Sequence, residues 1–114
     1  MLKNKGKMIG VQVTITRFSD EAQPGWVECR LTDINGQNWT FVEKAPLVSN
    51  VHLDAKSSYP QQGVIACEIF LTWLDITGRN VVTINTSSPW GVKSTEGKTQ
   101  FDVFASQLTH IEAK

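Results

Sequence analysis

Trp26-Val27-Glu28-Cys29-Arg30-Leu31-Thr32, then Asp33-Ile34-Asn35-Gly36, then Gln37-Asn38-Trp39-Thr40-Phe41-Val42-Glu43-Lys44 is the stretch whose register decides the fold. Two β-rich runs flank an Asn-Gly pair, which marks a hairpin. A two-residue turn at Asn35-Gly36 would pair Thr32 with Trp39 and Arg30 with Phe41, mixing polar and apolar side chains on each face. A type I turn with Gly36 as a left-handed bulge residue instead pairs Leu31 with Trp39 and Cys29 with Phe41. That register gathers Val27, Cys29, Leu31, Trp39 and Phe41 on one face and leaves Glu28, Arg30, Thr32, Asn38 and Thr40 on the other. A one-residue slip moves every side chain of a strand to the opposite face, so the cleaner segregation selects the bulged turn.

Upstream, residues 8–18 alternate, with Ile9, Val11, Val13 and Ile15 against Gln12, Thr14 and Thr16. This is a half-buried strand rich in β-branched residues. Pro24-Gly25 closes the polar loop that follows. Downstream, Lys44 to Gly63 contains Pro46 and Pro60 and reads as a long connection with room for one edge strand or helical turn. Val64 to Leu74 is apolar on both faces and is expected at the centre of the fold. The chain turns at Asp75-Ile76-Thr77-Gly78 and returns over Arg79 to Thr86. The two turns align: Asp33, Ile34, Gly36 and Asn38 recur as Asp75, Ile76, Gly78 and Asn80, 42 residues on. Duplication and shared turn chemistry both account for this. Ser87 to Gln100 is a polar loop carrying Trp90. For residues 101–112, a strand to about Phe104, a helical turn at Ser106–Leu108 and a short last strand compete with a helical spacing of Phe101, Phe104, Ala105, Leu108 and Ile111.

The sequence therefore predicts an all-β protein: a small, partly open β-barrel of five to seven mostly antiparallel strands, with a β-sandwich as the alternative. Residues 1–7 are expected as a flexible tail and residues 8–112 as one domain. The 114 residues suffice for a core without staples. Eleven basic residues balance eleven acidic ones, which argues against a nucleic-acid partner, because phosphate binding calls for a basic excess. No apolar run long enough for a leader or a membrane span follows Lys3, Lys5 and Lys7. Cys29 and Cys67 lack metal or redox spacing, so free thiols and a cytoplasmic location are expected.

Several strings resemble a set of short, uncharacterised bacterial all-β proteins. They are Pro24-Gly25-Trp26-Val27-Glu28-Cys29, Glu43-Lys44-Ala45-Pro46, Gly63-Val64-Ile65-Ala66-Cys67-Glu68 and Pro89-Trp90-Gly91. The resemblance implies a bacterial origin, and it carries over no activity and no catalytic residue.

Chemistry-bearing constellations are sparse. The two histidines, His52 and His110, have no nucleophile at motif spacing, and Cys29 and Cys67 fall at core positions that make a thiol inert. His52-x-Asp54 supplies two ligands where a metal site needs three or four. Glu28 and Glu43 come close at the open end of the hairpin but face opposite ways, with Glu43 opposite Val27 at the rim. No catalytic residue, metal or cofactor is expected. Trp90 lies in a loop with no periodic reason for burial, and Trp26 falls on the polar face of its strand. With Lys44 they are the expected partner-binding residues. The function expected is a non-enzymatic protein-binding or accessory role, immunity-like or inhibitor-like, through another protein or self-association. A barrel binding a small ligand or single-stranded nucleic acid is the alternative.

Overall fold

In the computed structural model, which describes residues 7–22 and 24–112, seven strands form one antiparallel sheet curled into a half-barrel. They are β1 (Lys7–Asp20), β2 (Trp26–Thr32), β3 (Asn38–Lys44), β4 (Gln61–Leu74), β5 (Asn80–Asn85), β6 (Gln100–Phe104) and β7 (Leu108–Glu112). The order across the sheet is β3-β2-β1-β4-β5-β6. β1 is the organising strand. Residues Ile9–Ile15 pair with β4, while the opposite edge of β1 holds β7 along Lys7–Val11 and β2 along Thr14–Asp20. Of the tail expected over residues 1–7, all but Lys7, which opens β1, lies outside the described residues.

The β2–β3 register is the one the face segregation selects. Leu31 pairs with Trp39, Cys29 with Phe41 and Val27 with Glu43. Gly36 has φ +79°, a conformation that an L side chain resists. Val27, Cys29, Leu31 and Phe41 are buried; Trp39 is half-buried, edge-on to Phe101. The core continues through Val11, Val13 and Ile15 of β1, Ile65 of β4, Val82 and Ile84 of β5, and Phe101 and Val103 of β6.

The long connection holds a 3-10 turn at Ala45–Leu47, and a second one at Ala105–Gln107 bends β6 into β7. Strand, turn and short strand is thus the outcome for residues 101–112, not a helix. Asp33 and Asp75 close their turns identically. The N–H of each donates to the carbonyl four residues on, and Oδ1 accepts amides at the second and fourth residues. Ser94 does the same with its hydroxyl, accepting from the amides of Glu96 and Lys98 on either side of Gly97. This third turn lies outside the 42-residue repeat, so turn chemistry suffices to form such a turn without duplication.

β4 departs from the expectation of a central strand. Its first half is central, with Ile65, Ala66 and Cys67 buried between β1 and the connection, where the Val64 N–H donates to the Val48 carbonyl. Its second half is not. Among the described residues, pairing with β1 ends at Ile9–Cys67, and beyond that point only β5 accompanies β4. Apolar side chains on both faces are compatible with a strand buried on both faces, but here they are left in water.

Candidate interaction surface

From Ile69 to Leu74 the sequence has no charge, glycine or proline. β5 runs along one edge of this segment, and among the described residues no strand pairs with the other. Ile69, Phe70, Leu71, Trp73 and Leu74 are 37–64% exposed, and Ile76 at the hairpin tip is fully exposed. The ladder slips between Ile69 and Leu71, so Phe70 occupies a bulge.

The direction of the free backbone groups follows from the turn. The Asp75 N–H donates to the Arg79 carbonyl (2.9 Å), so Asp75 faces β5. Antiparallel alternation then turns Trp73 and Leu71 toward β5 as well, and points the N–H and C=O of Thr72 and Leu74 outward from the open edge. On the outer face of the sheet, Leu71 and Trp73 stand opposite Thr83 and Val81, which are buried. The Trp73 indole is held in place there. Its Nε1 lies 3.4 Å from Thr83 Oγ1, which donates to Asp102 Oδ1 at 2.6 Å.

The open edge runs into a groove of about 470 Å³ lined by Met8, Ile9, Cys67, Ile69, Pro89 and His110. His110 also borders a neighbouring hollow of about 310 Å³, whose wall includes Trp90 and Leu47. The loop conformation explains the exposure of Trp90. Buried Thr86 pins both ends of the loop, its hydroxyl donating to the Val92 carbonyl and its N–H to that of Thr99. Val92 is drawn into the core and the 41%-exposed Trp90 is left outside.

The other expected binding residues lie in the β2–β3 hairpin. Trp26 and Lys44 pair across the ladder, and the ammonium sits 5.8 Å from the indole centroid. The structure brings these two together and places Trp90 in a separate hollow. Lys44 and Glu43 form no ion pair: among the described residues Arg17 and Glu28 do (3.0 Å), and His52 Nε2 lies 3.6 Å from Asp54 Oδ2. The second pair is exposed, and no group of three metal-ligating side chains occurs among the described residues. Burial pushes the thiols of Cys29 and Cys67 up to about 12, with Glu43 and Glu28 adding to the effect at Cys29. Both are free and unreactive as nucleophiles at neutral pH. Phe41 is buried, so it offers no stacking platform for bases.

The sequence signal for the open edge was the uncharged run Ile69–Leu74. What hid it is that a centred strand and an uncovered one share the same composition. No helix of the described residues is long and apolar enough to cross a membrane. The site therefore belongs to the class of small β half-barrels with an exposed apolar strand that is open along one edge among the described residues. No protein-family model, no curated protein and no solved structure matches the chain.

Proposed function

We propose that this protein acts by binding another polypeptide along the open edge of β4, as a non-enzymatic accessory or neutralising protein of the bacterial cytoplasm. The observation that carries the reading is the coincidence of two features over Ile69–Leu74: outward backbone N–H and C=O groups, and exposed apolar side chains on both faces. Strand addition uses both, the backbone for affinity and the alternating side chains for selection. Soluble proteins ordinarily blunt such an edge with Lys, Pro or a covering loop, and none stands here among the described residues. Trp90, on the hollow adjoining the groove, is a second anchor for a longer partner. Trp26 and Lys44 lie together on the β2–β3 hairpin, away from this edge, and offer a separate contact point for a partner. Two buried free thiols suit a reducing compartment.

Photo-crosslinking in the cells that express the protein tests the reading. A benzoylphenylalanine at Ile76, whose side chain touches little, should give discrete protein adducts, and the same probe at exposed Lys93 should not. Equal yields from both positions, or none from Ile76, count against it.

A second reading rests on the 470 Å³ groove, which falls within the size range of small-molecule sites, ~300–1,000 Å³. Its lining also carries Glu68 and His110 as polar groups. Methyl NMR against a panel of small apolar acids and amines would favour it if Ile9 and Ile69 shift together while Leu74 stays still. Unmoved methyls across the panel reject it.

A further inference from the structure

We infer that the occupant of the open β4 edge is a second copy of this chain, paired antiparallel about a two-fold axis at Thr72. This rests on the strand-docking reading above and names its partner.

The first argument is directional. A strand edge is self-complementary under two-fold rotation only if its free groups can be placed opposite themselves, as in an isologous interface. Thr72 and Leu74 point outward, so centring the axis on Thr72 makes it a hydrogen-bonded pair with the partner's Thr72. The same register sets Phe70 opposite the partner's Leu74 and Leu71 opposite the partner's Trp73. Aromatic side chains thus meet aliphatic ones, and threonine meets threonine, both favoured cross-strand pairs.

The second argument is electrostatic. Glu68 and Asp75 flank the segment and are its nearest charges. In the Thr72-centred register neither acid faces an acid. Asp75 falls opposite the partner's Ile69, and Glu68 opposite the partner's Ile76. A two-fold pairing usually has to avoid repelling its own charges, and this segment has none to repel.

The third argument is area. Six apolar side chains, from Ile69 to Ile76, are exposed to the fractions given above. At about 200 Å² for a fully exposed large side chain, they leave roughly 700 Å² in water, a ceiling on what edge pairing covers and close to the ~800 Å² per partner of a standard interface. The outer-face pair Leu71 and Trp73 would then continue across the axis as one apolar strip. Its anchor is already oriented by the Trp73–Thr83–Asp102 chain of hydrogen bonds.

Hydrogen-bond direction also supplies a clean test. Because the Thr72 N–H faces away from β5, proline at this position removes a donor to the second copy and none to the hairpin. Sedimentation equilibrium of wild type should give twice the chain mass, and Thr72→Pro should give the single chain mass with an unchanged far-UV spectrum. Leu74→Lys, which places a charge on the same edge, should do likewise if proline disturbs folding. Thr72→Cys should form a reducible crosslinked dimer on mild oxidation, since a hydrogen-bonded pair places the α-carbons about 5.5 Å apart, within disulfide reach. Cys29 and Cys67 are buried and would not compete. A wild-type monomer at the highest soluble concentration overturns the inference. So does a dimer that survives both Thr72→Pro and Leu74→Lys, or one that Thr72→Cys fails to crosslink. A chain that dimerises only after removal of residues 1–6 overturns it too, and assigns the edge to the chain itself. A monomer whose Ile76 probe captures a different protein rejects self-pairing yet keeps the strand-docking reading, whereas absence of any adduct rejects both.

Discussion

Asp33 and Glu43 occupy opposite ends of the β2–β3 hairpin, and the structure moves their acidities in opposite directions. Burial pushes the Asp33 carboxyl up, but hydrogen bonds outweigh it. Trp39 Nε1 donates to Oδ2 (3.0 Å), the amides of Gln37 and Asn35 donate to Oδ1, and Lys98 adds a positive charge, so the net shift is downward. A folded value below the unfolded one contributes stability above the ordinary Asp range, and that stability is lost as pH falls through the folded value. Asp33→Asn should therefore lower the urea midpoint at pH 7 and flatten the decline below about pH 4. Solvent screening keeps the effect small, since Asp33 is only partly covered. Glu43 behaves in reverse: burial opposite Val27 raises it, and the Lys44 amide and charge offset only part of this. A raised carboxyl favours folding most below its unfolded value, and that advantage is lost as pH rises through the folded one. Glu43→Gln should accordingly hold or raise the midpoint at pH 7. A fall there would mean that the ionised carboxylate stabilises the rim, against the sign argued here.

Within β4 two stability regimes share one strand. Ile65 is fully buried against β1, so Ile65→Ala removes transfer energy and leaves a cavity, at about 2–5 kcal/mol. Leu74 is 64% exposed in the single chain, and Leu74→Ala should cost under ~0.5 kcal/mol at concentrations low enough to keep the protein monomeric. Urea titration of the two variants checks this, and comparable losses would mean that the second half of β4 is covered in the free chain. The contrast also marks where the sequence could and could not be read. The β2–β3 register was legible because Gly36 and the side-chain alternation are local, and only one pairing satisfied both. The half-barrel followed from the strand count and the absence of helix-length periodicity beyond residues 101–112. The open edge was not legible, because it depends on where β1 stops pairing, which is a tertiary fact. Apolar residues on both faces of Val64–Leu74 predict burial; Ile65 and Cys67 are buried, and for Phe70 and Leu74 the same pattern accompanies exposure. Trp90 was singled out by its loop setting, and its exposure follows from Thr86 and Val92, residues that carry no signal of their own.

At the scale of the molecule, the half-barrel ends in β3 and β6, which no ladder joins. Among the described residues three hydrogen bonds cross between the segments on either side: Ile34 N–H to the Asp102 carbonyl, Thr95 N–H to that of Thr40, and Gln107 Nε2 to that of Thr32. Between them Phe101 packs at 5.6 Å from Phe41 and 5.9 Å from Trp39, with the Lys98 ammonium over the Trp39 and Phe101 rings. An aromatic seam therefore does the work that a closing ladder does in a complete barrel. Phe101→Leu should loosen it by about 1–2 kcal/mol, leaving a folded protein with a lower urea midpoint. The seam and the open β4 edge are different places on the sheet, so folding and self-association should separate. Phe101→Leu is expected to lower the midpoint while leaving the dissociation constant of the folded dimer unchanged. Thr72→Pro should do the opposite, abolishing the dimer with a far smaller shift in the midpoint of the monomer. Sedimentation and urea unfolding on the same two variants decide it: a Phe101→Leu protein that is folded yet monomeric would move the contact between copies from β4 to the aromatic seam.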